Sequence, residues 1–282
     1  MSEERANPDP VDGLLARLSG LPGVLVAFSG GVDSAFLLAA SMRALGHDRV
    51  LAVTAVSDSL PAAEQAAAAD FALAVGARHE LVATNEMARD GYRENSTSRC
   101  YFCKAELLET VRSRLMCLPG GSVVATGTNA DDIVAGFRPG IRAAAERGAV
   151  TPLADAGLDK QTIRRTAQAW GLSVWDKPQA ACLSSRIAYG IQISSGRLAR
   201  VEAAEVALRR TLDEHGVPSV NLRVRDLGDT ARIEVDAQCV ARPGDWRGAA
   251  VAAVMSAGFA DAAIDPQGFR SGSMNEGQRP LL

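Results

Sequence analysis

Residues 24–28, VLVAF, are a short apolar run rich in β-branched side chains, the pattern of a strand buried on both faces. A glycine turn follows, and then SAFLLAASMRALG (34–46) carries the helical period and stops at Gly46. The alternation repeats along the chain. RVLAVTAV (49–56) predicts a strand, and PAAEQAAAADFALAVG (61–76) a helix opened by Pro61 and closed by Gly76. RHELVAT (78–84) predicts a third strand, CYFCKAELLETVRSRLMC (100–117) a helix, and SVVATG (122–127) a fourth strand. DKQTIRRTAQAWG (159–171) adds a helix and SVWDKP (173–178) a final short strand. Strands alternating with helices at this spacing imply right-handed crossovers, hence an α/β fold whose parallel sheet has helices on both faces.

The pattern changes after about Gly190. GRLARVEAAEVALRRTLDEHG (196–216) predicts one long amphipathic helix. VNLRVRDLG (220–228) and ARIEVD (231–236) predict two strands joined by a tight turn around Gly228 and Asp229. GDWRGAAVAAVMSAG (244–258) predicts a helix and DAAID (261–265) a strand. We expect a lead-in over 1–20, disordered or helical, a parallel α/β domain over 21–190 and a small C-terminal α+β domain over 191–282. The ending PQGFRSGSMNEGQRPLL (266–282) is polar and Gly-rich, as in a tail or a loop over a site.

Composition narrows the function classes. The chain has 282 residues, is 47% hydrophobic and carries a formal charge of −3. No strongly basic field favours sequence-independent nucleic-acid binding, so a nucleic-acid partner is not expected. No apolar run is long enough for a transmembrane helix, and MSEERANPDP (1–10) lacks the order of a signal peptide. The expectation is a cytoplasmic protein without membrane contact, whose five cysteines act as ligands, nucleophiles or core fillers.

SGGVDS (29–34) lies between the first strand and the first helix. Gly30 and Gly31 let backbone approach a ligand, Ser29 and Ser34 offer hydroxyls, and the helix N-terminus favours an anion. Asp33 would repel a phosphate unless a Mg²⁺ stands between them, which suggests a metal-bound nucleotide. The loop sits where open α/β sheets bind ligands, and it is neither a Walker A loop nor GxGxxG. SGGVDS resembles the PP-loop of the ATP-pyrophosphatase superfamily (adenine nucleotide alpha hydrolase-like), whose members cleave ATP to AMP and pyrophosphate. That resemblance implies that the backbone of Thr54 and Ala55 meets adenine. It also implies that GTNADD (127–132) brings Gly127, Asp131 and Asp132 near the pyrophosphate or Mg²⁺, although those aspartates equally suit a helix cap.

Cys100 and Cys103 form a CxxC at a helix start, which alone suits half a zinc site, a redox pair or iron–sulfur ligation. The three histidines, His47, His79 and His215, are not paired at ligand spacing. Cys117 falls on the apolar side of its predicted helix and Cys239 follows a strand; both read as core. Cys182 lies in KPQAACLSSRIAYG (177–190), an irregular, hydroxyl-rich segment with an arginine. Arg223 and Arg225, two apart on one strand, share a face, and paired guanidiniums suit an anionic mononucleotide.

RCYFCK (99–104) and ACLSSR (181–186), together with the PP-loop, resemble the LarE family, the ATP-dependent sulfur transferases of nickel-pincer nucleotide biosynthesis. The resemblance extends to DPQGFRSGSMNE (265–276). It implies ATP and Mg²⁺ as cofactors, a pyridinium dicarboxylate mononucleotide as substrate, and a homo-oligomer. Cys182 matches the sulfur-delivering cysteine; Ser185, Arg186, Arg223 and Arg225 match residues that bind or position the substrate. Some members give up the sulfur of one cysteine. Others hold a [4Fe–4S] cluster on three, and the presence of Cys100, Cys103 and Cys182 favours the cluster type fed by a sulfide donor. Two rivals remain: a tRNA thiolase of the same superfamily, which tRNA affinity would support, and a non-enzymatic ATP or AMP sensor, which pyrophosphate release with substrate would exclude. An ammonia-using synthetase leaves the cysteines unexplained.

Overall fold

The computed structural model describes residues 9–135, 138–178 and 181–270. Residues 1–8 of the lead-in and 271–282 of the expected tail lie outside them. The chain divides into two compact units. One comprises Met1–Ser57, Ala62–Glu86 and Cys100–Ala180; the other comprises Asp58–Pro61, Met87–Arg99 and Ala181–Leu282.

The first unit opens with α1 (Pro10–Ser19), where Asp9 accepts from the Val11 N–H at 2.9 Å and Pro10 fills the first helical turn. Val11, Leu14 and Leu18 recur at helical spacing and are buried, so this part of the lead-in is an ordered helix. β1 (Val24–Ala27), α2 (Val32–Leu45), β2 (Val50–Val56), α3 (Ala62–Ala74) and β3 (Arg78–Ala83) follow. After α4 (Asp90–Arg93), which belongs to the second unit, come α5 (Arg99–Arg112), β4 (Val123–Thr126), α6 (Ala130–Val134), α7 (Pro139–Glu146), α8 (Pro152–Asp155) and α9 (Lys160–Ala169). The sheet order is β3-β2-β1-β4, all parallel, so the chain reverses its direction of growth between β1 and β4. Alternation along β1 feeds two cores. Val24 and Val26 pack with α1, α2, α3 and α9, whereas Leu25 packs with Leu51, Val53, Val124, and Leu108 and Val111 of α5. This is the α/β fold read from the sequence.

SVWDKP is not a strand. Residues 173–176 form a turn, and Arg164 of α9 donates to the carbonyls of Trp175 and Lys177, each at 2.7 Å. A guanidinium, not a neighbouring strand, satisfies that backbone.

In the second unit, α10 (Ser195–Glu214) is followed by β5 (Leu222–Asp226), β6 (Thr230–Val235), α11 (Ala237–Val240), α12 (Trp246–Ser256) and β7 (Asp261–Ile264). β5 and β6 are antiparallel, and β7 adds parallel to β6. Asp226, fully buried, accepts from Arg197 at 2.8 and 3.0 Å, Arg200 at 2.8 Å and the Gly228 N–H at 2.9 Å, tying α10 to the β5–β6 turn. Residues 181–190 group with this unit because the Leu183 N–H donates to Ser59 and the Ala188 N–H to Asp226, each at 2.9 Å.

Phe36 is fully buried on α2 and stacks on Trp170, with ring centroids 4.9 Å apart. Phe36→Ala should destabilise the protein by about 3–5 kcal/mol, because it removes a large apolar group and leaves a cavity. Urea unfolding checks this: the midpoint should fall with an unchanged slope.

Candidate functional site

The first part of the site follows β1. Gly30 adopts φ +73°, and a Cβ there would lie 3.1 Å from the Ala68 Cβ of α3, so the backbone conformation and the close approach both call for glycine. The Ser34 hydroxyl donates to the Gly31 carbonyl at 3.0 Å, accepts from the Ser29 N–H at 3.3 Å, and lies 3.1 Å from the Ser29 hydroxyl. These contacts close SGGVDS on itself. The first N–H groups of α2 then point out of the helix, as in an anion site.

Asp33, in the first turn of α2, has a buried Oδ1 without a hydrogen-bond partner among the described residues. Burial raises its carboxyl above the ordinary range; Asn129, Lys160 and Arg164 oppose that shift, and Asp132 adds to it. An orphaned buried carboxylate oxygen at the start of a helix after a glycine turn suits a hard cation such as Mg²⁺.

Two neighbouring loops frame this position. Thr54–Val56 of β2 run beyond Ala27, the last β1 residue in register, so Thr54 and Ala55 stand near the carboxyl end of β2 and pair there with Leu81 and Val82 of β3. The Thr54 hydroxyl donates to the Phe28 carbonyl at 2.8 Å and meets His79 Nε2 at 2.8 Å, which fixes the strand end against β1 and β3. After β4, Gly127 meets the start of α2 so closely that a Cβ would lie 2.7 Å from the Ser34 nitrogen. The two aspartates beyond it are drawn into helix ends. Asp132 closes a capping box with Asn129, while Asp131 accepts from the Lys160 N–H at 2.9 Å. Lys160 Nζ lies 3.6 Å from Asp132.

Cys100 is exposed and Cys103 half-buried, one helical turn apart on α5 and therefore on one face. α7 lies against that turn, where Gly140 comes near the Cys100 carbonyl and Lys104. Half-buried Lys104 follows directly; burial lowers its amine while the two thiols oppose the shift. Cys117 is exposed, contrary to the expectation of a core position: α5 ends at Arg112 and a 3₁₀ turn over Ser113–Cys117 breaks the helical phase. Cys239 is fully buried.

The second unit carries the other residues. Half-buried Cys182 precedes a 3₁₀ turn (Leu183–Arg186), and its carbonyl accepts from the Ser185 N–H at 3.0 Å, the Ser185 hydroxyl at 2.7 Å and Arg186 Nη1 at 2.9 Å. Arg186 is buried and forks onto Glu205 of α10 at 2.9 and 3.2 Å. Glu205 also accepts from the Val224 N–H of β5 at 3.0 Å. Arg223 and Arg225 share a face of β5, as their spacing requires. Buried Arg225 pairs with fully buried Glu234 at 2.8 Å and donates to the Ser185 carbonyl at 3.2 Å. Half-buried Arg223 has its guanidinium 5.3 Å from the Phe269 ring centroid. Burial first, then Arg186 and Arg225, lower its pKa to about 10. Glu205 and Glu234 oppose that shift.

A clamp on this loop was not legible in the sequence. Asn95, buried with φ +54°, donates to the carbonyls of Ile187, Ala188 and Ile191 at 3.3, 2.9 and 2.9 Å. Arg99 donates to the Ser184 carbonyl at 2.8 Å. Glu205, Glu234, Asn129 and Lys160 were also missed. The Asn-x-x-Asp spacing could have signalled the Asn129 capping box, and strand alternation could have put Glu234 on the face of Arg232. Nothing local marks Glu205. Among the described residues no three His, Cys, Asp or Glu side chains are gathered to hold a metal ion, and no helix is long and apolar enough to cross a membrane.

No protein-family model matches the sequence. The chain is 41% identical over 257 residues to an uncharacterized protein of Synechocystis sp., covering 90% of this chain and 92% of that one. It is 34% identical over 266 residues to the pyridinium-3,5-bisthiocarboxylic acid mononucleotide synthase of Lactiplantibacillus plantarum, covering 93% of this chain and 92% of the synthase. An uncharacterized Methanocaldococcus jannaschii protein is 31% identical over 143 residues, about half of each chain. At such identity over nearly the full length, together with an all-parallel sheet bearing SGGVDS after its first strand, the chain belongs to the LarE family.

Proposed function

We propose that the protein is an ATP-dependent sulfur transferase that converts a carboxylate of pyridinium-3,5-dicarboxylate mononucleotide into a thiocarboxylate. The observation that carries this reading is its end-to-end similarity to the Lactiplantibacillus plantarum synthase, whose name specifies the bisthiocarboxylic product. A carboxylate is a poor electrophile at neutral pH. In this reading one of its oxygens attacks the α-phosphorus of MgATP, pyrophosphate leaves, and an acyl adenylate forms with AMP as a good leaving group. Ser29, Gly30, Gly31 and Ser34 present the loop to the phosphates and Asp33 takes the Mg²⁺. Thr54 and Ala55 meet the adenine, and Gly127 and Asp131 border the pyrophosphate. Arg223 and Arg225 bind the phosphate and carboxylates of the substrate, while Ser185 and Arg186 hold the Cys182 backbone.

Sulfur reaches the acyl adenylate along one of two routes, both through Cys182. In the route we favour, Cys100, Cys103 and Cys182 would hold a [4Fe–4S] cluster, which when bound would supply an exogenous sulfide. In the second, the Cys182 thiolate attacks the acyl carbonyl and AMP leaves with the bridging oxygen. Loss of the Cys182 α-proton then breaks its Cβ–Sγ bond, leaving the thiocarboxylate on the substrate and dehydroalanine in the chain. The second route allows one product sulfur per chain, whereas the first turns over.

Three outcomes are expected. Pyrophosphate release, assayed under anaerobiosis, should require the mononucleotide, and Asp33→Ala should nearly abolish it; release by that variant at the parent rate would remove Asp33 from the metal site. Arg223→Ala and Arg225→Ala should each cost roughly 1.5–3 kcal/mol of substrate binding, about 10- to 100-fold in Kd, with MgATP affinity held. An equal loss of MgATP affinity would place the arginines at the nucleotide instead. Peptide mass analysis after a single turnover should find Cys182 unchanged, and Cys100→Ala and Cys103→Ala should lose bound iron together with activity. Dehydroalanine at position 182 in protein with a full iron and sulfide complement would overturn the cluster route.

A further inference from the structure

Lys177 directly follows the turn that replaces the expected last strand of the first unit, five residues before Cys182 in the chain. Its ammonium donates to the Gly30 carbonyl of the phosphate loop at 3.0 Å and to Glu64 Oε2 in the first turn of α3 at 2.7 Å. Both side chains are largely out of water, Lys177 at 19% and Glu64 at 24% exposure, where a charge acts more strongly than at the surface. The turn itself is held by Arg164, which directs its fork to the carbonyls of Trp175 and Lys177. Arg164 therefore fixes the segment that delivers the lysine.

The loop chemistry says what the lysine is for. A phosphate beside SGGVDS meets N–H groups, and carbonyls aimed at it would repel it. The Gly31 carbonyl is turned to the Ser34 hydroxyl and the Ala35 N–H, and the Gly30 carbonyl is turned to Lys177. An ammonium has three N–H donors, of which the Gly30 carbonyl and Glu64 take two; the third has no partner among the described residues. Glu64 is the cost of this arrangement, a carboxylate within one lysine of the place where phosphates arrive. The other charges around the loop are Asp33, Asp132, Lys160 and Arg164.

We propose that Lys177 is a binding residue for the pyrophosphate portion of MgATP, and that Glu64 competes with that portion for the ammonium. This rests on the nucleotide reading of the loop, and goes beyond it by naming a cation outside the SGGVDS motif and a carboxylate that tempers its affinity. A purely structural tie between the turn and the loop makes the opposite demand of Glu64, since removing either partner of a tie would loosen the loop in the same direction.

Equilibrium binding of MgATP and of AMP to the full chain, with thermal melting as a folding control, separates the two. Lys177→Met should weaken MgATP by about tenfold or more, because the ammonium no longer donates to a phosphate oxygen, and leave AMP within about twofold. Glu64→Gln should tighten MgATP severalfold, and Lys177→Arg should keep most of the parent affinity. Should Lys177→Met fail to fold, the Glu64→Gln and Lys177→Arg measurements decide alone. Weaker MgATP binding by Glu64→Gln, or an equal loss of AMP affinity in Lys177→Met, would reduce the pair to a structural tie and overturn the proposal. Parent protein that binds no MgATP would be a different failure, because it would overturn the nucleotide reading of the loop itself and the role of Lys177 with it.

Discussion

The close approach of the β4–α6 turn to the start of α2 is the constraint on which the first unit depends. A Cβ at Gly127 would sit 2.7 Å from the Ser34 nitrogen, so the two loops meet only because this position has no side chain. They come from β1 and β4, the neighbouring strands between which the sheet changes its direction of growth. That meeting brings Asn129, Asp132 and Lys160 to bear on Asp33 and leaves a carboxylate oxygen buried without a hydrogen-bond partner among the described residues. Leaving such an oxygen unpaired costs about 1–3 kcal/mol or more, a penalty that persists where function offsets it.

The second unit solves a related problem with opposite charges. Arg186, Arg223 and Arg225 crowd one neighbourhood, and Glu205 and Glu234 keep the crowd stable. Arg186 directs its fork to Glu205 and to the Cys182 loop, so in our reading it positions the thiol-bearing backbone, while burial lowers the pKa of Arg223 to about 10. Ser185, Arg225 and Asn95 brace the same loop. A half-buried thiol on so many backbone anchors is held in place without using its sulfur.

The sheet was legible because its strands are short apolar runs between glycine turns, and the place of SGGVDS at the junction of β1 and α2 was legible because its glycines interrupt the two patterns. Arg223 and Arg225 were legible because a strand has a period of two. SVWDKP was misread: its Val and Trp favour a strand, but Arg164 takes the carbonyls that a strand would pair. Cys117 was misread because the helical phase was carried past Arg112. Residues 58–61 and 87–99 join the second unit through long-range contacts such as Asn95 with Ile187, and no local pattern announces such contacts. Lys177 was invisible for the same reason, since its partners lie 113 and 147 residues away.

The central claim is that a substrate carboxylate is activated by transfer of AMP. Its most direct test labels both carboxylates of the mononucleotide with oxygen-18 and follows the label during turnover with MgATP and sulfide under anaerobiosis. The account predicts one labelled oxygen in AMP for each thiocarboxylate formed, because the attacking carboxylate oxygen leaves with the phosphorus. Unlabelled AMP alongside thiocarboxylate, or label appearing in inorganic phosphate, would contradict it.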